Sequence, residues 1–231
     1  MDFKENYNER LFNGWQSIYH LKRFYWLQKK LEKYGKKNAS FIEIGCYDAR
    51  TLEFIPTEQL GSYLGLDANW EKGLDSAKEK YKGAENIVLK YCAKPDDIYP
   101  TEQKYDIGIS LETLEHIPPE LLDAFLEKIS LLVDGYFFIT VPVERGLSLF
   151  IATAIRAINR TWEKYGFLEW INAFLGRMHK VKRREHKGFD DRIFIKQISR
   201  YFDIKKIEGI FFNTPYASLN LSIGIVAKSK K

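Results

Sequence analysis

The chain has 231 residues, 45% of them hydrophobic, which is enough to bury one substantial core and reads most simply as a single domain, 1–231, carrying an insertion. No uncharged apolar run reaches the length of a membrane span, and the first residues lack the basic, apolar and small-residue order of a secretion signal, so the expected compartment is the cytoplasm. The formal charge of +5 is modest and local: residues 145–187 hold ten basic residues against three acidic ones, and the rest of the chain is close to neutral.

In chain order, the first predicted element is an amphipathic helix over about 15–34, with Ile18, Leu21, Phe24, Tyr25, Leu27 and Leu31 at mostly three- and four-residue spacings and Gly35 as its stop. Apolar strands then alternate with helical segments. The strands are Ser40–Gly45, Tyr63–Asp67, Ile87–Tyr91, Tyr105–Ser110 and Tyr136–Val141; connecting helices lie near Thr51–Phe54, Trp70–Tyr81 and Pro119–Val133. The last turns Leu121, Leu122, Phe125, Leu126, Ile129 and Leu132 inward and takes Asp134-Gly135 as its stop signal. Such alternation implies a parallel sheet with right-handed crossovers.

After Pro142 the rhythm breaks, and residues of about 147–188 read as a helical insertion or lid. One helix gathers Leu147, Phe150, Ile151, Ala154, Ile155 and Ile158 on a face, and the next gathers Phe167, Leu168, Ile171, Phe174, Leu175 and Met178. A helix around Arg192–Tyr201 follows, then strands Ile204–Phe212 and Leu219–Lys228. The turn-rich residues 213–218 between those strands favour an antiparallel pair. Cys46 and Cys92 fall at the ends of strands separated by a third, about 9 to 10 Å apart, too far for a disulfide. Free thiols suit a reducing compartment.

The most informative stretch is 40–49, where an apolar strand carries Glu43 two residues before Gly45. An apolar run ending in a Gly turn opens a ligand crevice at the carboxyl edge of a parallel sheet. Asp67 ends the next strand, 22 positions past Gly45. An acid about 20 residues on, at the tip of the second strand, accepts hydrogen bonds from ribose hydroxyls. Plainer readings are an ordinary strand-to-helix turn and an N-cap for the helix near Trp70.

The run Glu43-Ile44-Gly45-Cys46-Tyr47-Asp48-Ala49 resembles the first motif of the class I S-adenosylmethionine-dependent methyltransferases: an acid, a hydrophobe, then Gly-x-Gly-x-Gly. Tyr47 and Ala49 stand where that motif has its second and third glycines. A dinucleotide site wants Gly-x-Gly-x-x-Gly so that a pyrophosphate can approach the backbone, which Tyr47 would obstruct; S-adenosylmethionine has no phosphate. A second stretch, Tyr105 to Pro118 with its Leu114-Glu115-His116-Ile117 ending, is similar to the small-molecule, quinone-biosynthesis branch (methyltransferase type 11). The resemblance covers 40–142 well and 189–231 loosely.

It implies an α/β fold, a doubly wound, mostly parallel seven-stranded Rossmann-like sheet with a helical insertion before the last two strands, and S-adenosylmethionine as cofactor. Glu43, Gly45, Cys46 and Tyr47 would line the methionine half, Asp67 would grip the ribose, and Ala68 would border the same pocket. Cys92 or Ala93 stands where the family often has an acid for adenine, leaving backbone groups there, with Asp96 or Asp97 as substitutes from the loop. Leu111 would offer a carbonyl to the ammonium, and Glu115 and His116 would face the substrate mouth.

Methyl transfer from a sulfonium is an in-line displacement whose leaving group needs no protonation, so alignment supplies most of the acceleration. A base is needed only for an acceptor carrying a proton, and His116 is the candidate for a hydroxyl; its plain reading is a structural histidine pairing with Glu115 or the Pro118-Pro119 turn. Glu112 either orients His116 or caps the next helix. His186 lies in a loop that in related enzymes reaches over the active site, or is a solvated basic loop. No Cys/His cluster has zinc-ligand spacing, so no metal is expected.

Substrate choice would sit in the insertion, with Trp162, Trp170 and the basic run Lys180–Arg184. Its apolar faces pack on the protein as a lid or dimer interface, or lie on an anionic membrane surface, which would suit a lipid-linked acceptor. No RNA-binding motif supports nucleic acid as partner. The expected function is methyl transfer to a small-molecule or lipid-linked acceptor, at oxygen. A methyltransferase-like scaffold without turnover is the alternative, and a nicotinamide oxidoreductase the weakest.

Overall fold

The structure is a computed structural model that describes residues 17–99, 103–158, 165–184, 186–212 and 219–230. Seven strands form one sheet in the order β3-β2-β1-β4-β5-β7-β6. They are β1 Ala39–Ile44, β2 Leu60–Asp67, β3 Ile87–Tyr91, β4 Tyr105–Leu111, β5 Val133–Pro142, β6 Phe202–Gly209 and β7 Ser222–Ser229. The first five run parallel, and β7 lies antiparallel to both β5 and β6, as the sequence led us to expect. The chain starts at β1, moves outward through β2 and β3, then returns to β4 on the other side of β1. That reversal opens a crevice at the carboxyl ends of β1 and β4.

Helices cover both faces: α1 Ser17–Tyr34, α2 Gly73–Lys80, α3 Pro119–Leu132, α4 Gly146–Ile158, α5 Phe167–Phe174 and α6 Asp191–Tyr201. The two-residue period of the strands divides the core. Phe41, Ile107, Ile109 and Phe138 meet Phe24, Trp26, Leu27 and Leu31 of α1 on one face. Ile42, Phe137, Ile139 and Val141 meet Leu122, Phe125 and Ile129 of α3 and Phe194 and Ile198 of α6 on the other.

α1 is fixed by a close approach: a side chain at Gly224 of β7 would run into the Trp26 indole, whose Nε1 donates to Glu208 Oε1 at 2.7 Å. The expected inward face of α1 needs one correction, because Tyr25 is half-exposed and Trp26 takes its place inside.

Other expectations also change. The segment near Thr51 is a 3-10 turn, Arg50–Phe54, and the Trp70 segment is a 3-10 turn followed by α2. Asp134-Gly135 is no stop signal. α3 ends at Leu132, the chain is extended from Val133, and Gly135 lies inside β5 because a β-carbon there would collide with the Asp106 carbonyl. Likewise α6 passes directly into β6. Within the insertion, Leu149, Ala173, Met178 and Val181 form the buried cluster, while Leu147, Phe150, Phe167, Leu168, Phe174 and Leu175 face outward, so of the second grouped face Met178 turns inside. Trp162 and residues 213–218 lie outside the described residues.

Candidate active site

β1 ends at Ile44, and the turn beyond it alternates. Gly45 has φ +77°, Tyr47 φ 47° and Ala49 φ 54°. All three places where the resembled motif has glycine are therefore left-handed, although two are occupied by residues that each pay about 1–2 kcal/mol for that conformation. Strain of this kind persists only where the surroundings over-determine it. Here the Tyr47 N–H donates to Asp67 Oδ2 at 2.9 Å, Ala49 N–H donates to the Cys46 carbonyl at 2.7 Å, and the Tyr47 ring rests against Gly73, where a β-carbon would strike it. Trp70 lies beside that ring, 6.1 Å between centroids.

Glu43 is buried beneath this turn. It accepts from Thr51 Oγ1 at 2.7 Å and from the Tyr63 hydroxyl, and burial pushes its carboxyl up to about 7 despite those two bonds. Both oxygens are thus engaged inside the protein, and the acid acts on the turn from below. Cys46 turns its buried thiol into the core against Gly65, so only its backbone faces the crevice; burial raises that thiol well above its usual range.

Asp67 ends β2, where Oδ1 accepts from the Asn69 N–H at 2.6 Å and Oδ2 from Tyr47; burial raises its carboxyl and those backbone donors oppose the rise. A carboxylate has about four acceptor positions, so these bonds leave room for further donors. Ala68, beside it, is exposed. At the end of β3 the Cys92 thiol is buried, pushed up to about 12 by burial, and its N–H is given to the Asp67 carbonyl. Asp97 accepts from the N–H groups of Ala93 and Lys94 at 2.9 and 3.0 Å, both on Oδ2, so one of its oxygens holds its own turn. Asp96 remains exposed on the same loop.

The β4 end closes the crevice from the other side. A β-carbon on Gly45 would run into the Thr113 side chain, and the Thr113 hydroxyl donates to the Leu111 carbonyl at 3.3 Å. Sequence reasoning passed over Thr113, which no spacing rule marks. Glu112 takes φ 53° and gives its N–H to Thr140. Its side chain does not orient His116. It points into a small cavity lined by His20, Arg23, Ile210, Phe211 and Ser222, where burial pushes it up to about 7 against the Arg23 charge and bonds from Ser222 and Thr140.

The acid next to His116 is Glu115, buried at 1% exposure on the 3-10 turn Leu114–His116. His116 Nε2 lies 3.9 Å and His186 Nδ1 3.8 Å from Glu115 Oε1, and the two imidazoles meet edge to face at 4.4 Å. His186 is brought there by its loop, in which Arg183 donates to the Glu115 carbonyl at 2.6 Å and the Phe189 N–H to the His186 carbonyl at 3.0 Å. The separation of the two histidines along the chain hid this cluster from a search by spacing.

No family model matches the sequence, and no curated protein matches it. Solved structures do. An S-adenosylmethionine-dependent methyltransferase from Clostridium acetobutylicum ATCC 824 superposes with a TM-score of 0.66 at 9% identity, over 97% of this chain and 99% of that one. The magnesium protoporphyrin IX methyltransferase ChlM from Synechocystis PCC 6803, with bound SAH, gives 0.59 at 14% identity over 100% and 90%. The N-methyltransferase NodS from Bradyrhizobium japonicum WM9, in complex with S-adenosyl-L-homocysteine, gives 0.61 at 11% identity over 96% and 91%.

The chain has the class I methyltransferase fold.

In a methyltransferase fold the left-handed turn after β1 and the acid at the tip of β2 stand where a donor's methionine and ribose halves would meet the sheet. The residues fit such a group at Asp67, whose carboxylate keeps acceptor positions open, whereas the space that Gly45 leaves is taken by the Thr113 side chain. They depart from it at adenine, where Cys92 and Ala93 end β3 without a carboxylate and one oxygen of Asp97 holds its own loop.

Proposed function

We propose that the chain transfers a methyl group from S-adenosylmethionine to a small-molecule or lipid-linked acceptor, at oxygen. The observation that carries this reading is the persistence of three left-handed residues at positions 45, 47 and 49, two of them, Tyr47 and Ala49, without the glycine that would make that conformation cheap. A mere strand-to-helix connection has no need to keep that shape with a tyrosine and an alanine in it.

When bound, the donor supplies an electrophilic methyl group on a sulfonium. The residues of this chain do the rest. Gly45, with the backbone of Cys46 and Tyr47, passes around the methionine half, and Glu43 stiffens that turn through Thr51 and Tyr63. Asp67 accepts from the ribose hydroxyls, with Ala68 bordering the adenosine. The backbone around Cys92 and Ala93 borders the adenine. Leu111 turns its carbonyl to the ammonium once the Thr113 hydroxyl swings away. His116, half-exposed at the crevice mouth, meets the acceptor hydroxyl, with His186 across from it and Glu115 behind both. Glu112 supports this end of β4 from within and does not touch the acceptor.

Transfer of a labelled methyl group to candidate hydroxyl acceptors, small and lipid-linked, tests the reading. Asp67→Ala is expected to weaken donor binding at least about tenfold, because Tyr47 and Asn69 lose their acceptor as well as the ribose. His116→Ala is expected to lower turnover while leaving donor affinity nearly unchanged; unchanged turnover would remove His116 from the reaction. A scaffold without turnover is the second reading, supported by the bonded state of Asp97 and of the Leu111 carbonyl. It predicts donor binding with no labelled product from any acceptor.

A further inference from the structure

The carboxylate of Glu115 is fully buried, and no other residue donates a hydrogen bond to either of its oxygens. Leaving a buried carboxylate without donors is costly, and proteins resolve that cost by neutralising the group, pairing it or placing it on a metal. The side chains facing it are Arg183 from the loop before α6, Arg23 from α1, Glu112 from the end of β4, and the imidazoles of His116 and His186. Arg183 donates to the Glu115 backbone carbonyl, and Arg23 acts through its charge. Glu112 adds a second, partly buried acid to the same end of β4.

One ligand atom each from Glu115, His116 and His186 lies within 4.8 Å of the other two. With the carboxylate oxygen 3.9 and 3.8 Å from the two ring nitrogens, a point equidistant from all three sits about 2.5 Å from each or closer. Zinc and its neighbours bind imidazole and carboxylate at about 2.0 to 2.2 Å, so shifts of a few tenths of an ångström complete the set. The geometry points to a divalent first-row transition-metal ion held by Glu115, His116 and His186. Two imidazoles and one carboxylate are the donors such ions prefer over magnesium or calcium. Three protein ligands leave at least one coordination position, and the side chain of His116 is 47% exposed, so the cluster is reached from solvent on that side. For its role this inference rests on the methyl-transfer reading: the ion would lower the pKa of an acceptor hydroxyl in the open position so that its proton passes to solvent water, and His116 would serve as ligand in place of base.

Binding is measured without any methyl donor. The metal-stripped chain is titrated with cobalt(II), read by its visible absorption, and with zinc(II) in competition. One ion per chain is expected, with intense tetrahedral-type cobalt bands. His186→Ala and Glu115→Gln should each weaken binding about a hundredfold or more, and His179→Ala, at an exposed histidine outside the cluster, should leave it unchanged. His186 lies on a loop, so its variant keeps the test valid if the buried Glu115 variant does not fold. No cobalt binding at millimolar concentration, or binding that His186→Ala leaves intact, would overturn the inference. A chain that binds S-adenosylhomocysteine but no cobalt would lose only this site. One that binds cobalt but no S-adenosylhomocysteine would lose only the methyl-transfer reading.

Discussion

At the scale of single residues, the site is governed by buried acids whose neutral forms the fold prefers. Glu43 and Glu112 are both pushed up to about 7, with burial the leading cause. In the unfolded chain such groups lose their protons near 4.5, so the folded state holds more protons between 4.5 and 7 and stability falls as pH rises through that window. His20 opposes this in part: burial, helped by Arg23, drives it down to about 3, so its contribution is present above 6.5 and is lost as pH falls. Replacing Glu43 with Gln removes one titrating carboxyl. Urea unfolding at several pH values should then show a slope between pH 5 and 7 that is shallower by about 1.4 kcal/mol per unit. Parallel curves for the two proteins would contradict the assigned cause. Glu43 was legible in the sequence as a motif acid, whereas its partners Thr51 and Tyr63 were not, because one lies beyond the turn and the other on the neighbouring strand.

At the scale of elements, the strands were legible because parallel strands buried on both faces read as apolar runs. Their ends were less so. Asp134-Gly135 has the composition of a stop, yet the close passage of β4 puts that glycine inside a strand, a constraint visible only once β4 and β5 are paired. In α4 and α5 periodicity grouped the large apolar residues but did not mark the small Ala173, which is buried with Leu149, Met178 and Val181. The segment joining β2 to α2 carries its own strain. Asn69, Glu71 and Lys72 are all left-handed, and Lys72 is exposed. Lys72→Gly should raise stability by about 0.5 to 1 kcal/mol, relief of the left-handed cost being partly offset by the greater freedom of unfolded glycine. Thermal unfolding would show a rise of about 2 °C, and a fall would mean that the Lys72 side chain holds the turn.

At the scale of the whole molecule, the sheet presents one working edge, with the insertion beside it. Arg145 ties the start of that insertion to α6, its Nε and Nη2 donating to Asp191 at 2.7 and 2.9 Å. Outward-facing Phe167, Leu168, Phe174 and Leu175 stand near the basic run Lys180–Arg184 in sequence. No described helix is long and apolar enough to cross a membrane, but an apolar surface bordered by lysine and arginine suits the surface of an anionic one. The chain is therefore expected to cosediment with phosphatidylserine vesicles at low salt and to lose that binding in a Phe167→Ser, Leu168→Ser double variant. Binding that survives the double variant would assign the contact elsewhere.

The account as a whole depends on the crevice at the ends of β1, β2 and β4 accepting an adenosyl sulfonium or its demethylated product. Calorimetric titration of the intact chain with S-adenosylmethionine and S-adenosylhomocysteine measures this directly. Saturable binding of both, one per chain and weakened by Asp67→Ala, is the predicted result; no heat from either ligand at millimolar concentration would contradict it.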